Sequence, residues 1–207
     1  GQVFLEQNHL NLTETTNLGS YYTSEKLIQM VYDMVFKNVV NLNEYIFMDT
    51  SCGYGNFLKY AKDKNMRCIG ADIDKEACNI AKLYNEGINF LNHNSLKNVA
   101  REQYGISDKD KIIIIGNPPY NDTTSIVKNH IKKFVNLEID KNLQARDLGI
   151  SFLLSYNKLK PDFVCVLHPL SYLIKRANFA LLGDFKNNYK LFDSVIISSQ
   201  EFSNTSR

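Results

Sequence analysis

The sequence lacks tryptophan, has only four cysteines and four prolines, and carries little net charge. No apolar run approaches the roughly 20 residues that a membrane-spanning helix needs. A formal charge of +2, from 24 basic and 22 acidic residues, argues against a protein held to nucleic acid by bulk charge. The cysteines form no Cys-x-x-Cys pair and no metal-ligand spacing, which predicts reduced thiols and a cytoplasmic location. They are Cys52, Cys68, Cys78 and Cys165.

What remains is the composition of one globular domain, with 44% hydrophobic and 22% charged residues in a chain of 207. Residues 1–19 are polar and irregular, and no linker-like stretch divides the rest, so we expect a single domain over 1–207. Short apolar runs alternate with segments of helical periodicity. Strands are predicted at 45–48, 68–72, 88–91, 111–116, 163–167 and 194–197. Helices are predicted from 25, at 56–64, from 74, at 124–135, at 148–159 and after Pro169.

This alternation predicts a doubly wound α/β fold, a mostly parallel sheet with helices on both faces. In such sheets ligands bind beyond the carboxyl ends of the strands, near the point where strand order reverses. The residues that follow each strand are therefore the candidates for function.

The first of these segments, Asp49–Phe57, follows the strand at 45–48 and contains Gly53 and Gly55. Two glycines one residue apart allow a tight turn and a close approach to a ligand, and the next helix offers free N–H groups. Leu58 occupies the position of the third glycine of a dinucleotide-binding loop, and no phosphate-loop lysine follows. A carboxylate at the strand end favours a cationic or amine-bearing ligand.

Polar residues also follow the next two strands. Asp72 ends the second strand and is placed to accept hydrogen bonds from ribose hydroxyls, whereas Asp74 is better explained as the N-cap of the following helix. The third strand leads into Asn92–Ser95. His93 within that segment has no second His, Cys or carboxylate at ligand spacing, so we expect no metal site.

The fourth strand is followed by Asn117-Pro118-Pro119-Tyr120. The prolines fix the backbone and remove two N–H donors, which leaves carbonyl acceptors beside an aromatic ring. Asn117 is held extended because it precedes a proline. A rigid set of acceptors next to an aromatic plane suits a flat substrate that donates an NH₂ group.

Two of these motifs together carry a family resemblance. Asn-Pro-Pro-Tyr at 117–120, preceded by Asp-x-x-Cys-Gly-x-Gly-Asn-Phe at 49–57, resembles the S-adenosylmethionine-dependent amino-methyltransferases, most closely the N6-adenine DNA methyltransferases. Tyr21–Ser24 is similar to a segment that lies upstream of the cofactor loop in one subclass. Asp147–Phe152 is similar to the segment that closes over the cofactor adenine, and Glu201-Phe202 to one that gives the flipped base a second aromatic contact.

The resemblance implies a Rossmann-like methyltransferase fold and methyl transfer from S-adenosylmethionine to the N6 amino group of adenine in double-stranded DNA, within a restriction-modification system. The adenine would be flipped out of the duplex, and neither metal nor membrane would take part. The implied catalytic residues are Asn117, Pro118, Pro119 and Tyr120, and the implied substrate contacts are Tyr120 and Phe202. The implied cofactor residues are Tyr22, Thr23, Asp49, Ser51, Cys52, Gly53, Gly55, Asp72, Ile73, Asn94, Ser95, Asn117 and Phe152.

Three positions depart from the family pattern: Thr50 replaces proline, Asn94 replaces a common aspartate, and Gly149 replaces a common aromatic residue. Two alternative functions are methylation of a protein glutamine and methylation of ribosomal RNA. A third alternative is an inactive domain that has the cofactor-binding fold and acts as an interaction subunit. The basic residues within 121–146 either follow a DNA backbone or form a solvated helix face. Since the family sheet continues beyond the Phe202 segment, we expect the last strand and the target-recognition domain to be missing, with a partner subunit or another domain supplying recognition.

Overall fold

The computed structural model describes residues 23–120, 137–170 and 174–197. The sequence predictions for Tyr22, Phe202 and a helix at 124–135 lie outside these ranges. The described strands are β1 (Tyr45–Asp49), β2 (Arg67–Asp72), β3 (Asn89–Asn92), β4 (Lys111–Gly116) and β5 (Phe163–Val166). The described helices are α1 (Glu25–Asn38), α2 (Asn56–Asp63), α3 (Lys75–Tyr84), α4 (Leu148–Leu159), α5 (Arg176–Ala180) and α6 (Phe185–Asn188).

The strands form one sheet in the order β3-β2-β1-β4-β5, and every neighbouring pair is parallel. The chain proceeds from β1 outward to β3 and then crosses to β4 on the other side of β1, so the strand order reverses between β1 and β4. Their carboxyl ends, Asp49 and Gly116, border this switch point, where open α/β sheets bind ligands. The predicted doubly wound fold is confirmed.

The four isoleucines of β4 show how the sheet is buried on both faces. Ile112 and Ile114 pack into a core with α4, whereas Ile113 and Ile115 pack into a second core with α1 and α2. All four are at most 1% exposed. β-Branched side chains with restricted χ1 suit a central strand that is covered by helices on each side.

Helix ends set the direction of the elements around the sheet. Ser24 caps α1, and Asp74 caps α3 by accepting hydrogen bonds from Glu76 N and Ala77 N, as its sequence position predicted. The Tyr32 hydroxyl, in the middle of α1, donates to the carbonyl of Phe57 in the first turn of α2.

The strand predicted at 194–197 is wrong. These residues have no strand assignment, and within the described residues no strand pairs with the outer edge of β5. Val195 and Ile196 are 56% and 76% exposed, and only Ile197 of this apolar stretch packs against the core that contains α1 and α2. Phe192 instead packs against Phe163, with ring centroids 6.2 Å apart. An apolar run forms a strand only where a neighbouring strand is available for backbone hydrogen bonds.

The region after Pro169 is helical only in short pieces, α5 and α6, and 171–173 lie outside the described residues. Across the described ranges, no helix combines the length and apolar character needed to cross a bilayer.

Candidate functional site

The loop after β1 is tied to the end of β2 by backbone contacts. Cys52 N donates to Ala71 O at 2.9 Å, and Gly53 N donates to Asp72 Oδ2 at 2.9 Å. Gly53 has a φ of 51° and Gly55 a φ of 84°, both in the left-handed region that glycine adopts without strain. The loop therefore turns tightly, and the amide of Gly53 points at the Asp72 carboxylate of the neighbouring strand.

Gly55 has a packing role in this loop. A Cβ at this position would lie 2.7 Å from Cζ of Phe90, on β3, and 3.1 Å from Nδ2 of Asn85. The sequence pattern predicts that the backbone at Gly55 comes close to a ligand. The structure shows that this backbone also lies close to the side chain of Phe90.

Asp49 lies at the switch point and is 2% exposed. Its Oδ1 accepts a hydrogen bond from Ser51 N at 3.0 Å, and burial raises the pKa of the carboxyl from 3.8 to about 7. A Cβ on Gly116 would lie 2.7 Å from the same oxygen, and Gly116 has a φ of 139°. Only glycine lets the end of β4 approach the Asp49 carboxyl this closely, and Asn117 follows directly.

Asp72 is a second buried carboxylate at this edge. Besides its bond from Gly53 N, it accepts from Asp74 N at 2.9 Å. Burial raises its pKa from 3.8 to about 6, although these backbone bonds oppose the shift. Asp49 and Asp72 thus both have raised pKa values because burial disfavours their negative charge. A ligand that carries positive charge would stabilise the ionised carboxylates, so the site favours such a ligand.

The segment after β3 is linked to the loop after β1. Ser95 Oγ donates to Thr50 O at 2.8 Å, and the Tyr104 hydroxyl donates to Ser95 Oγ at 3.1 Å. Asn94 Oδ1 accepts from Leu96 N at 3.0 Å, and its Nδ2 donates to Glu138 O at 2.8 Å. An aspartate at 94 has no N–H to donate to that carbonyl, which accounts physically for the departure from the family pattern.

A small cleft opens between these segments. Six residues implied by the resemblance line it, namely Ser51, Asp72, Ile73, Asn94, Ser95 and Phe152. Thr50, His93 and Leu96 complete the lining and were not selected from the sequence. The buried polar atoms of this lining include Thr50 Oγ1, Ser51 Oγ and His93 Nε2. A polar lining of this kind suits a ligand with donors and acceptors of its own.

The predicted catalytic segment directly follows β4. Asn117 Oδ1 is buried and accepts no hydrogen bond from the described residues. Pro118 is buried, and Tyr120 is half-buried against the core that contains α4. An unpaired buried carbonyl oxygen costs about 1–3 kcal/mol, so this oxygen suits a ligand that carries an N–H donor.

Other sequence candidates lie around this centre. Thr23 is buried next to the N-cap of α1. Cys52 is 6% exposed, and its thiol faces the carbonyl of Gly53. The ranges 23–120, 137–170 and 174–197 hold no group of three or more His, Cys, Asp or Glu that could bind a metal ion.

A search of curated proteins gave no match. The methyltransferase subunit of a type I restriction-modification system from Streptococcus thermophilus superposes with a TM-score of 0.50 and 15% identity, over 81% of this chain and 38% of that one. A TehB-like S-adenosylmethionine-dependent methyltransferase from Corynebacterium glutamicum gives a TM-score of 0.42 and 11% identity, over 78% and 81%.

The first superposition shows a shared fold, and this chain spans well under half the length of that subunit. The model of the N-6 DNA methylase family matches residues 4–182, which is most of the sequence. The chain therefore belongs to the N-6 DNA methylase family.

Proposed function

We propose that this chain transfers a methyl group from S-adenosylmethionine to the N6 amino group of adenine in DNA, in the cytoplasm, as part of a restriction-modification system. One observation carries the proposal: the unpaired buried oxygen of Asn117 directly follows the glycine that contacts the Asp49 carboxyl. An acceptor for an amino group thus adjoins a carboxylate that favours a cation.

The cleft residues fit S-adenosylmethionine. Ile73 and Phe152 offer apolar surface to an adenine ring, and Asp72 offers carboxylate oxygens to ribose hydroxyls. Asp49 favours the cationic end of the molecule because burial makes an uncompensated negative charge costly there. When bound, S-adenosylmethionine supplies a methyl group activated by its positively charged sulfur.

The residues after β4 position the acceptor nitrogen. Asn117 Oδ1 and the carbonyl of Pro118 accept hydrogen bonds from the two N–H groups of the adenine amine, which turns its lone pair toward the cofactor. Tyr120 offers a ring against which an extruded base can stack, and extrusion costs a few kcal/mol. Orientation and electrostatics carry the rate enhancement, so no general base is required before attack.

The proposal is tested by tritiated methyl transfer to unmethylated genomic DNA, RNA and a release-factor-like protein in parallel, with nucleoside analysis of the product. We expect label in DNA as N6-methyladenine. Label in the protein alone or in RNA alone would show that this molecule, and not adenine in DNA, is the substrate. Absence of label from all three would favour an inactive interaction subunit.

The Asn117→Ala variant tests the role of the acceptor. We expect it to keep its affinity for S-adenosylmethionine and to lose at least 100-fold in transfer rate, in line with the loss of an oriented polar contact in other active sites, about 10²–10³-fold. Asn79→Ala, at an exposed position of α3, is the matched control. Near-normal transfer by Asn117→Ala would disprove the assigned role.

A further inference from the structure

Building on the proposed function, we infer that Lys175, Arg176 and Lys186 form a basic patch that binds phosphate groups of duplex DNA beside the flipped adenine. All three side chains are exposed, and all three follow β5 in the sequence. The sequence prediction considered basic residues for DNA only within 121–146, so this patch is a separate surface. Neither the family match nor the superpositions assign these residues a role.

The positive charge of the chain is concentrated in this region. Residues 174–192 contain four basic residues and one acidic residue, whereas the rest of the chain contains 20 basic and 21 acidic residues. The net charge of +2 therefore arises within 19 of the 207 residues. A local concentration of positive charge attracts a polyanion although the whole chain is close to neutral.

The charges of the basic patch are available to a ligand. Other exposed cations are paired, as Lys111 is with Glu44 at 2.6 Å. Among the described residues, no ion pair includes a member of the patch. Lys186 Nζ lies 5.3 Å from the ring centroid of Phe179, which places this cation over α5. An ammonium group has three donors, so this ring contact leaves N–H groups for a phosphate.

β5 brings this region to the switch-point edge of the sheet. Leu167 N donates to Gly116 O at 3.0 Å, so the chain leaves β5 beside the position where Asn117 follows β4. Ile174 N donates to Leu170 O at 3.3 Å, which keeps the chain within one helical turn of that exit. The first two residues of the basic patch follow directly.

The chain then runs away from this edge along α4. Phe152, in the first half of α4, lines the cleft, so α4 begins at the switch-point edge. A Cβ on Gly183 would lie 3.5 Å from Leu154 Cδ2, in the middle of α4. Asn188 Nδ2 donates to Asn157 Oδ1 at 2.8 Å, in the last turn of α4. Residues 183–188 thus descend along α4, and residues 174–181 lie on the side of the switch point.

A duplex that delivers an adenine to Asn117 brings its backbone across this edge. Each strand carries a phosphate about every 3.4 Å along the helix axis, and a flipped base stays linked to the phosphates on both sides. A lysine binds phosphate as a point charge, and an arginine binds two phosphate oxygens at once. Such contacts fix the register and orientation of the duplex without reading its sequence.

The test measures binding of the chain to two duplexes of unrelated sequence at several salt concentrations, by fluorescence anisotropy. Each phosphate contact adds about 0.9 to the slope of log binding constant against log salt concentration. We expect the double variant Lys175→Gln/Arg176→Gln to lower this slope by about 1.8 and Lys186→Gln to lower it by about 0.9. We expect the double variant to weaken both duplexes by a similar factor, on the order of tenfold at low salt.

Lys82→Gln/Lys109→Gln is the matched control, because it removes two exposed cations at the opposite edge of the sheet. We expect it to bind both duplexes as the wild type does. Thermal melting and S-adenosylmethionine affinity, expected to match the wild type in every variant, report that each chain is folded.

Three outcomes would overturn the inference. An unchanged salt slope in the double variant would show that the patch does not contact phosphate and would favour a protein partner there. An equal fall of the slope in the control would assign the effect to overall charge. A loss confined to one duplex would show that these residues read sequence.

Duplex binding is measured without methyl transfer, so the inference and the proposed function fail separately. Patch variants that bind DNA as the wild type does, in a chain that methylates adenine, reject the inference alone. A wild type that binds duplexes through the patch but transfers no methyl group to DNA rejects the proposed function and retains the patch. Absence of duplex binding by the wild type rejects the patch.

Discussion

Asp49 and Asp72, at the ends of β1 and β2, are buried carboxyl groups, so their negative charge is costly in free energy. A cationic ligand beside them would offset that cost. Asp49 has its pKa raised from 3.8 to about 7 by burial, so the folded chain holds this proton to higher pH than the unfolded chain does. Its contribution to stability is therefore greatest at low pH and falls as pH rises from about 4 to about 7. Asp72, raised to about 6, acts in the same direction.

Asp49→Asn tests this coupling. We expect the unliganded wild type to lose stability between pH 5 and pH 8, and the variant to lose less because its amide does not ionise. We also expect S-adenosylmethionine to bind the wild type more tightly at pH 8 than at pH 6, and the variant more weakly at both. Chemical denaturation and calorimetry at each pH measure the two effects. Parallel pH profiles for the two chains would contradict the assignment.

Gly116 makes the approach of β4 to Asp49 possible, and a paired substitution isolates that contact. Gly116→Ala brings a methyl group within 2.7 Å of the Asp49 carboxyl at a φ of 139°. Gly105 also has a positive φ, 67°, but a Cβ there meets nothing within 4 Å. We expect Gly105→Ala to cost about 1 kcal/mol from backbone strain alone, and Gly116→Ala to cost more and to weaken cofactor binding. If both variants lost the same stability and bound the cofactor as the wild type does, the close contact between Gly116 and Asp49 would have no role.

At the scale of elements, Arg101 joins the end of α4 to the turn before β4. Its guanidinium donates to the carbonyls of Leu159, Lys160, Ser107 and Asp110 at 2.7–2.9 Å. A cation suits the C-terminus of a helix, where carbonyl groups lack intrahelical partners. This contact supports α4, the helix that carries Phe152.

Arg101→Met is expected to lower the free energy of unfolding by about 2–3 kcal/mol, because hydrogen bonds from a charged donor are lost and carbonyls lose their partners. Lys109→Met, at an exposed position of the neighbouring turn, is the control, with an expected change within about 0.5 kcal/mol. Urea denaturation measures both. A loss in Arg101→Met no greater than in the control would mean that the four bonds are not stabilising in solution.

The sequence predicted elements well where a local pattern coincided with burial. The helix at 148–159 was predicted at the bounds of α4, and four consecutive isoleucines identified β4. The strand at 194–197 failed because apolar side chains do not reveal whether a neighbouring strand is present. The packing of Gly55 against Phe90, 35 residues later in the sequence, could not be predicted because a local pattern does not show it.

The candidate site followed from the sequence to the extent that parallel strands align their carboxyl ends. That rule selected Asp72 and the segments 49–57 and 92–95, and the family resemblance then selected Ser51 and Asn94 within them; Ser51, Asp72 and Asn94 line one cleft. The resemblance did not include Thr50 and His93, which line the same cleft, because side-chain direction in irregular segments depends on tertiary contacts.

For the molecule as a whole, we propose that segments following β1, β2 and β3, together with the start of α4, form one S-adenosylmethionine site next to Asn117. These segments are far apart in sequence and meet only because the sheet is doubly wound. The fold thus brings separate loops to one edge of the sheet, and we propose that this edge carries the chemistry of the N-6 DNA methylase family, to which the chain belongs.

Hydrogen exchange with and without S-adenosylmethionine tests this claim most directly, since it maps the site without altering a residue. With S-adenosylmethionine bound, we expect slower amide exchange in residues 50–55, 72–74, 92–96 and 148–152, and little change in residues 101–111. Protection confined to other segments, or no change at saturating S-adenosylmethionine, would contradict it.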